Sequence, residues 1–494
     1  MMAVRSALST ALLAALLFPG TLAQAQQPSP TLPHPDTTPP RVVCGPADDC
    51  PTLTLDAFLK RVLRTSPQAR ALRLADDRAA AELLDARGRL EPRLVSGYEY
   101  KTQADKDKLN VLRSGLRYPL NLPLSPTLKL DYRRGLGSSI DPSVATSRVG
   151  ETRVGVAFSP LQGLVANKRQ ATLDKARLSP RRARAQQAKE RNALLRDATY
   201  AFWAWVEARR TLGVTRDLLR LAQRRQALVT RRARAGEVPA IDSVEAAQIT
   251  ARRRGTLADA VRAARQKRIA LTAFLGTGDT SPSELRYAPP ALPSPQAPDT
   301  IRVAPAVDTA LARRPVLRVL DVKQRRARVA QDLARGQRWP DLKLEAQAVS
   351  YDEGPLNMTD LKVGFAIEQP LFARSSRSDA SAARLKTREL DFERERTEQA
   401  VRADVQKAVV ALRQARRRVQ TAQRSVRLSR RLQRAEQRRF EEGRGTLFRL
   451  NQREQALAEA RKGRITAQID VLRARTTYRW ATGTIGDAYG AARP

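Results

Sequence analysis

Histidine and cysteine, the residues that bind zinc and form disulfides, are few in this chain, and they all precede residue 51. His34 is the only histidine, and Cys44 and Cys50 are the only cysteines. A metal site needs more ligands than this set offers, so we expect no bound metal. In an exported chain, a close and even pair of cysteines predicts a small disulfide loop, the alternative being a cysteine that carries a lipid.

The groupings of residues that carry catalysis are missing from the sequence. No phosphate-binding loop or nucleophile elbow is present, and Gly135-Leu136-Gly137 has no motif around it. Trp203 and Trp205 lie on an apolar helix face, where tryptophan usually packs rather than forming a ligand cage. We therefore expect no catalytic residues and no cofactor, and we expect that the protein is not an enzyme.

The N-terminal residues have the features of an export signal. Arg5 precedes the apolar run Ala7–Phe18, and Ala23-Gln24-Ala25 fits the small-x-small cleavage rule. The run is shorter than the ~20 residues that span a bilayer, and no later run is longer. We predict a signal peptide over 1–25, a leader rich in Pro and Thr over 26–52, and no transmembrane helix. Cys44 lies well past the cleavage point, which disfavours lipidation.

The chain is strongly basic, with 90 Lys and Arg against 50 Asp and Glu and a net charge of +40. Such a balance often indicates nucleic acid as a partner. Export removes the chain from nucleic acid, and the arginines are interleaved with acidic residues along helices, so we expect no nucleic-acid partner. Two accounts of the charge stay open: solvated helix faces, or attraction to anionic polymers of the cell envelope.

The sequence contains two copies of one pattern. Pro67 and Pro92 are separated by the same interval as Pro315 and Pro340, and Leu194–Gly236 aligns without a gap to Val401–Gly443. A repeat of this length is too long for a solenoid unit and indicates two fused copies. We predict a first repeat over 53–276, a linker over 277–305, a second repeat over 306–482 and a C-terminal tail over 483–494.

Each copy contains stretches in which apolar and polar residues alternate. In the second copy these are Leu342–Ala348 and Leu361–Ile367, and in the first copy Val95–Tyr100 and Leu128–Tyr132. This period predicts strands with one apolar and one polar face. The chain thus offers about four clear strands, and the stretch 110–132 has room for two more.

Long helices follow the strands in both copies. The segment Leu371–Phe440 lacks proline and predicts a helix of roughly 105 Å. Apolar residues at 4-3 spacing form a heptad seam in each copy. The seam positions are Val401, Val405, Ala408, Leu412, Ala415, Val419, Ala422 and Val426 in one copy, and Leu194, Ala198, Ala201, Trp205, Ala208, Leu212, Thr215 and Leu219 in the other.

Other features of the helical parts complete the prediction. Thr54–Gly88 predicts a helix that Thr54 caps, and Ser179-Pro180 predicts a kink or a late start in the first long helix. Glycine turns at Gly236 and Gly443 end the long helices. Returning helices follow over Ala240–Leu275 and Thr446–Ala481, which gives two antiparallel helical hairpins.

These elements predict a membrane barrel whose wall is built from several chains. Alternating strands of about ten residues suit an outer-membrane barrel, but four strands cannot close one, and lipid cannot satisfy an open sheet edge. The charged helices must then form a tube in the periplasm. The predicted fold class is mainly α, with duplicated coiled-coil hairpins forming a periplasmic α-barrel and short strands forming a β-barrel shared by a trimer.

The chain from 53 to 482 resembles the TolC-like outer-membrane efflux protein family. The resemblance rests on the order and duplication of several motifs, which are Leu53-Thr54-Leu55-Asp56-Ala57, Ser66-Pro67, the Ala-Arg-x-x-x-x-Pro-x-Leu phrase before the strands, Leu311-Ala312-Arg313-Arg314-Pro315, Gln369-Pro370-Leu371-Phe372 and the glycine tips. It implies a homotrimer with 12 strands and 12 helices. It also implies a passive duct of a tripartite efflux pump or type I secretion system, located in the outer membrane with a long periplasmic extension.

The resemblance also implies partners and a site. The partners are a periplasmic adaptor (membrane fusion) protein, an inner-membrane transporter and outer-membrane lipid. The hairpin tips would form the periplasmic mouth, with the candidate residues Gly236, Asp242, Glu441, Glu442, Gly443 and Arg449. The chain departs from the family at Arg449, which stands where an acid is common, so two alternatives are open: Arg449 lines the mouth, or it points outward and pairs with Glu442.

Further departures concern the first copy and the N-terminus. The first copy has 62 positions from Pro92 to Val154, against 23 from Pro340 to Val363, which indicates an extra hairpin or loop. No cysteine lies at the cleavage site, unlike the lipid-anchored members of the family. A different class of function also fits the helices and the charge: a basic periplasmic coiled-coil scaffold that binds anionic envelope polymers.

Overall fold

The structure is a computed structural model that describes most of the chain. The described residues are 51–103, 106–137, 146, 150–165, 167–276, 287–293, 301–350 and 360–488. The signal peptide, nearly all of the leader and the Cys44–Cys50 pair lie outside them.

The first repeat opens with two helices, α1 (Leu55–Thr65) and α2 (Pro67–Gly88). The single helix predicted over Thr54–Gly88 is therefore wrong. Ser66 has ψ 133°, because the ring of Pro67 disfavours helical backbone at the preceding residue. The Thr54 cap is confirmed, since its side chain accepts a hydrogen bond of 3.3 Å from the Ala57 amide.

Six strands form one antiparallel sheet whose spatial order follows the chain. They are β1 (Arg93–Gln103), β2 (Lys106–Pro119), β3 (Thr127–Gly137), β4 (Glu151–Phe158), β5 (Asp341–Ser350) and β6 (Asp360–Glu368). The first repeat supplies four strands and the second supplies two. The β4–β5 ladder joins the repeats, with Thr152 opposite Ser350 and Phe158 opposite Leu344.

The sheet differs from the arrangement that the resemblance implies. Twelve strands in a trimer require four per chain, whereas the described residues contain six. The excess length of the first copy is the hairpin β1–β2, which lies at one edge of the sheet beside β3. Of the two further strands for which 110–132 left room, only β2 is found there, because β3 is the strand already predicted at Leu128–Tyr132; β4 lies outside that stretch and was not predicted.

The first long helix starts later than the strand end at Pro160. Two short helices, α3 (Pro160–Val165) and α4 (Lys168–Arg177), come before α5 (Ser179–Arg234). Asn167 ends the run from Pro160, because its side chain caps the amides of Arg169 and Gln170 at 2.9 and 3.1 Å. Pro180 lies in the first turn of α5, so the late start predicted at this position is confirmed.

The remaining helices complete two hairpins and the start of the second repeat. They are α6 (Ala240–Thr272) with a short 3₁₀ turn over Ala273–Leu275, α7 (Val303–Arg313), α8 (Pro315–Gly336), α9 (Arg374–Glu441), α10 (Leu447–Ala481) and α11 (Ile485–Ala488). The four long helices lie side by side in the order α6, α5, α10, α9. Helices α6 and α9 are therefore the outer members of the row.

The heptad seams are confirmed as the buried faces of the long helices. Seven of the eight α9 positions are buried, with only Ala422 partly exposed. In the first repeat, the rings of Phe58 in α1 and Phe202 in α5 stack with their centroids 5.6 Å apart, and Trp203 and Trp205 pack against Phe202. Within the residues that the structure describes, no helix combines the length and the apolar character needed to cross a bilayer.

Candidate functional site

The sheet has two chemically different faces. Because side chains alternate along a strand, the register places one set of residues from all six strands on a common face. That face includes Leu94, Leu116, Leu130, Val154, Ala348 and Leu361. It is exposed in the single chain, with 74% exposure at Leu361 and 78% at Phe365. An apolar sheet face of this extent needs a covering partner or lipid.

The opposite face of the sheet carries charged side chains that pair across strands. Arg113 lies 3.2 Å from Glu99, and Lys129 lies 2.9 Å from Glu345. Glu151 is buried between Arg133 and Arg153, with its carboxylate 2.5 Å from Arg153. A sheet with one apolar and one charged face matches the requirements of a barrel wall between lipid and water.

The turn between β2 and β3 is fixed by side chains from α4. The Arg169 guanidinium donates to the carbonyl oxygens of Leu120, Ser125 and Pro126 at 3.2, 3.1 and 2.8 Å. It also donates to the Thr127 hydroxyl at 2.6 Å. These bonds tie the extra hairpin to the helical part of the chain.

The two hairpin tips have the same backbone geometry. Gly236 and Gly443 both have φ of 74°, a left-handed conformation that glycine adopts without strain. In each tip, the amide after the glycine reaches back to a helix carbonyl, Glu237 to Arg232 at 2.9 Å and Arg444 to Arg439 at 2.8 Å. This is the Schellman pattern, and it supports the duplication at the level of hydrogen bonds.

The structure brings the two tips together. Leu447 at the start of α10 packs in one apolar cluster with Val229 of α5 and Ala246 of α6, and Phe440 of α9 lies against it. Five residues separate the end of β6 from the start of α9, and the 68 residues of α9 span roughly 100 Å. The tips therefore lie at the far end of the long helices from the sheet.

The charged tip residues are exposed or partly exposed. Asp242 lies in the first turn of α6, where the free amides of a helix N-terminus favour an acid. Arg449 is exposed at the equivalent place in α10, and its amide donates to the Thr446 hydroxyl at 3.3 Å. Glu441 and Glu442 are also exposed.

The Glu442 carboxylate lies 3.8 Å from Arg444, and among the described residues no ion pair joins it to Arg449. The ion pair of the second alternative is therefore not formed in the single chain.

A buried charge cluster near the tips escaped the sequence analysis. We name it the Glu454 cluster, and its members are Arg225, Arg253, Phe440, Asn451 and Glu454. The Glu454 carboxylate of α10 contacts Arg225 of α5 at 2.5 Å and Arg253 of α6 at 3.2 Å. Its side chain is only 2% exposed. The cluster therefore joins the two hairpins of the chain by charge.

Other contacts complete the cluster. The Arg253 guanidinium donates to the Leu218 carbonyl at 3.0 Å and to Asn451 at 2.5 Å, and Arg225 lies 5.8 Å from the Phe440 ring centroid. Burial lowers the pKa of Arg253, while Glu454 opposes that shift. The sequence contains one signal that Glu454 is buried, which is its position: Glu454 follows the buried Leu447 and Leu450 at heptad spacing.

The outer helices of the row carry exposed apolar side chains. On α9 these include Leu428 and Leu432, and on α6 they include Ile241 and Val244. Large apolar residues at spacings of three and four along one helix form a packing stripe. Both flanks of the row are thus suited to packing against further helices.

Comparison with known proteins identifies the second repeat. Residues 306–484 match the family model described as Outer membrane efflux protein. The match covers the second repeat and no residue before 306. The first repeat has the same order of helices, strands and long hairpin, with the β1–β2 hairpin added.

Solved structures of outer membrane channels share the fold of nearly the whole chain. The CmeC outer membrane channel of Campylobacter jejuni is 13% identical with a TM-score of 0.67, and the match covers 89% of this chain and 87% of that one. The outer membrane protein VceC of Vibrio cholerae is 14% identical with a TM-score of 0.65, covering 87% and 96%.

A membrane protein of Pseudomonas aeruginosa is 19% identical with a TM-score of 0.65, covering 88% and 91%. A comparison with curated protein sequences found no match. The predicted fold class, long helical hairpins with a small antiparallel sheet, is confirmed by these structures.

Proposed function

We propose that the protein is a homotrimeric, passive duct that carries solutes through the outer membrane and across the periplasm. The observation that carries this proposal is the sheet with one apolar and one charged face, joined to helices of roughly 100 Å. The apolar face suits lipid and the charged face suits a water-filled lumen. Because its two edge strands, β1 and β6, have no further strand partner among the described residues, the sheet needs other chains to close it.

The helical row supports the same assembly. Four long helices per chain, multiplied by three chains, give the 12-helix tube that the family resemblance implies. The exposed apolar stripes of α6 and α9 lie on the two flanks where neighbouring chains would pack. A passive role fits a family of channels, because such a duct supplies a path and leaves energy conversion to other components.

The duct needs partners that deliver cargo to its periplasmic end. We propose a periplasmic adaptor protein that grips the exposed tips around Gly236 and Gly443, and an inner-membrane transporter that drives transport. Together they form a tripartite efflux pump or a type I secretion system. Comparing small-molecule retention with the secreted proteins of a deletion strain separates the two systems, since a pump defect raises retention and a secretion defect removes an exported protein.

The charges at the tips set the selectivity of the proposed mouth. In a trimer, each tip residue occurs three times around one opening, and a ring of like charge in a constriction selects ions. Asp242 would supply a cation-favouring ring, and Arg449 would oppose it. Glu441 and Glu442 are assigned to the adaptor-facing side of the tips.

Fractionation and bilayer recording test the proposal. The protein should remain in the outer membrane through salt and alkaline washes, leave it only in detergent, and have three times the chain mass by light scattering. Reconstituted protein should conduct ions in planar bilayers. A protein that salt releases from the envelope, or that gives no conductance, would instead be the basic scaffold that binds anionic polymers, which the family match does not support.

A further inference from the structure

We propose that each chain contributes all six strands to the membrane wall, so that the trimer closes an 18-stranded barrel in which β6 of one chain pairs with β1 of the next. The inference rests on the proposed trimer. It departs from the 12-stranded barrel that the resemblance implies, and it assigns to the β1–β2 hairpin a structural place in the wall.

The first argument is that the edge of β3 is already occupied. In a 12-stranded ring, β3 would be the edge strand that receives β6 of the neighbouring chain. Here β2 pairs with β3 along eleven consecutive positions, from Leu109 opposite Gly137 to Pro119 opposite Thr127. An incoming strand would have to displace this whole ladder, whereas the outer edge of β1 is free of any strand within the described chain.

The second argument is that β1 and β2 continue both faces of the sheet. Leu94 and Leu116 lie in register with Leu130 and extend the apolar face beyond β3, and Tyr98 lies on the same face. On the other face, the Arg113–Glu99 pair at 3.2 Å extends the charged side. A hairpin that lay outside the wall as a loop would gain nothing from this alternation, because both of its faces would meet water.

The third argument is that the connection into the extra hairpin is built as a fixed turn. Besides the four hydrogen bonds from Arg169, the Asn167 side chain donates to the Leu122 carbonyl at 3.1 Å, and the Ser159 amide donates to the Leu124 carbonyl at 2.9 Å. A Cβ at Gly163 would come within 2.6 Å of the Leu124 backbone. The helical part of the chain therefore holds β2 beside β3.

Strand direction and length permit the closure. Six strands that alternate in direction leave β1 and β6 antiparallel, so three copies close a ring in which every pair is antiparallel. The two edge strands have 11 and 9 residues, and 9–11 tilted residues span a bilayer. With strands about 4.8 Å apart and tilted by about 40°, 18 strands give a diameter of about 36 Å, against about 24 Å for 12.

Disulfide crosslinking between edge strands tests the inference. The background carries Cys44→Ser and Cys50→Ser, and Gly97→Cys in β1 is combined in turn with Lys362→Cys, Gly364→Cys or Ala366→Cys in β6. All four positions lie on the charged face, and a Cβ at Gly97 or Gly364 meets no atom within 4 Å. Three β6 positions at intervals of two cover the neighbouring registers.

A matched control pair probes the 12-stranded ring. Asp131→Cys in β3 is combined with Gly364→Cys, again on the charged face. In the proposed barrel, β2 and β1 stand between these strands, so the cysteines are about 14 Å apart, beyond the roughly 7 Å limit for a disulfide. In a 12-stranded ring they would be neighbours.

The expected result is a ladder of crosslinked dimers and trimers in at least one Gly97 pair, with monomer only in the Asp131 pair, on denaturing gels without reductant. Crosslinking through Asp131, or none in any Gly97 pair of a protein with trimer mass, overturns the 18-stranded barrel and leaves the trimeric duct intact. A monomer mass in light scattering overturns both proposals together.

Discussion

Replacing Glu454 by glutamine should loosen the hairpin tips while leaving the rest of the helical row in place. The substitution keeps the size and one acceptor oxygen of the side chain but removes its charge. Arg225 and Arg253 would then be left with no carboxylate between them, although their side chains are only 13% and 9% exposed. Water is therefore poorly placed to replace the lost carboxylate.

The magnitude follows from the burial of all three groups. Breaking a buried ion pair by removing one partner costs about 3–5 kcal/mol, and glutamine still accepts one hydrogen bond, so about 3 kcal/mol is the reasonable figure. Burial disfavours the charged form of Arg253 and lowers its pKa, and the negative charge of Glu454 offsets this effect. A loss of about 3 kcal/mol corresponds to a roughly 150-fold larger open fraction.

Hydrogen exchange of the detergent-solubilised protein measures this local opening directly. Peptides covering residues 243–253 of α6 and 450–458 of α10 should exchange roughly 100-fold faster in the variant. Peptides from the Phe202 region, at the other end of the row, should be unchanged.

A matched control lies one turn further along the same helix. Glu459 pairs with Lys462 at 3.0 Å but is 61% exposed, and exposed pairs contribute at most about 1 kcal/mol. Glu459→Gln should therefore leave exchange nearly unchanged. If Glu454→Gln accelerates exchange by no more than this control does, the buried cluster does not hold the tips and the reasoning from burial is wrong.

Three further predictions concern pH, backbone conformation and selectivity. A hydrogen bond from Ser179 holds the pKa of Glu82 below its usual 4.5. The ionised Glu82 side chain therefore stabilises the fold above its unfolded pKa, and this contribution is lost as the pH falls through the folded pKa. Glu82→Gln should flatten the fall in melting temperature below pH 4.5. Gly443→Ala should destabilise its tip by about 1 kcal/mol because φ is positive, whereas Gly463→Ala, mid-helix in open space, should be neutral or stabilising in the same exchange assay. Arg449→Asp should raise cation preference in planar bilayers, and unchanged reversal potentials would remove Arg449 from the pore lining.

The long helices could be predicted closely because their signal is repeated many times. A 4-3 spacing over eight positions identifies the buried face of each long helix, and the tip glycines mark where these helices end. The break at Ser66 was also readable, since Pro67 restrains the residue before it. One continuous helix was predicted because the apolar pattern continues on both sides of Ser66.

The strand count was harder to predict from sequence. In β2, Val111 and Leu112 are adjacent apolar residues, which blurs the alternation. The structure shows why both are apolar: Val111 is fully buried on the charged face, and Leu112 lies on the apolar face. A strand that packs on both sides loses the period that identifies it.

The Glu454 cluster could not be assigned from one sequence. The chain has 50 acidic and 90 basic residues, and several acids on these helices, such as Asp217, Asp259 and Glu389, form exposed pairs within a single helix. Only the three-dimensional meeting of α5, α6 and α10 shows that Glu454 contacts two buried arginines, whereas Glu459 pairs at the surface. The heptad position alone marks Glu454 as an acid on a buried helix face, but it does not show which residues Glu454 contacts.

The ladder between β4 and β5 has a consequence for how the protein is made. Thr152 and Ser350 face each other although roughly 200 residues separate them in the chain, and contacts this distant in sequence form slowly. While the second repeat is still being synthesised or translocated, the inner edge of β4 stays open beside an apolar face, a combination prone to wrong strand pairing. A partner that shields β4 until β5 arrives would therefore reduce wrong pairing in the newly made chain.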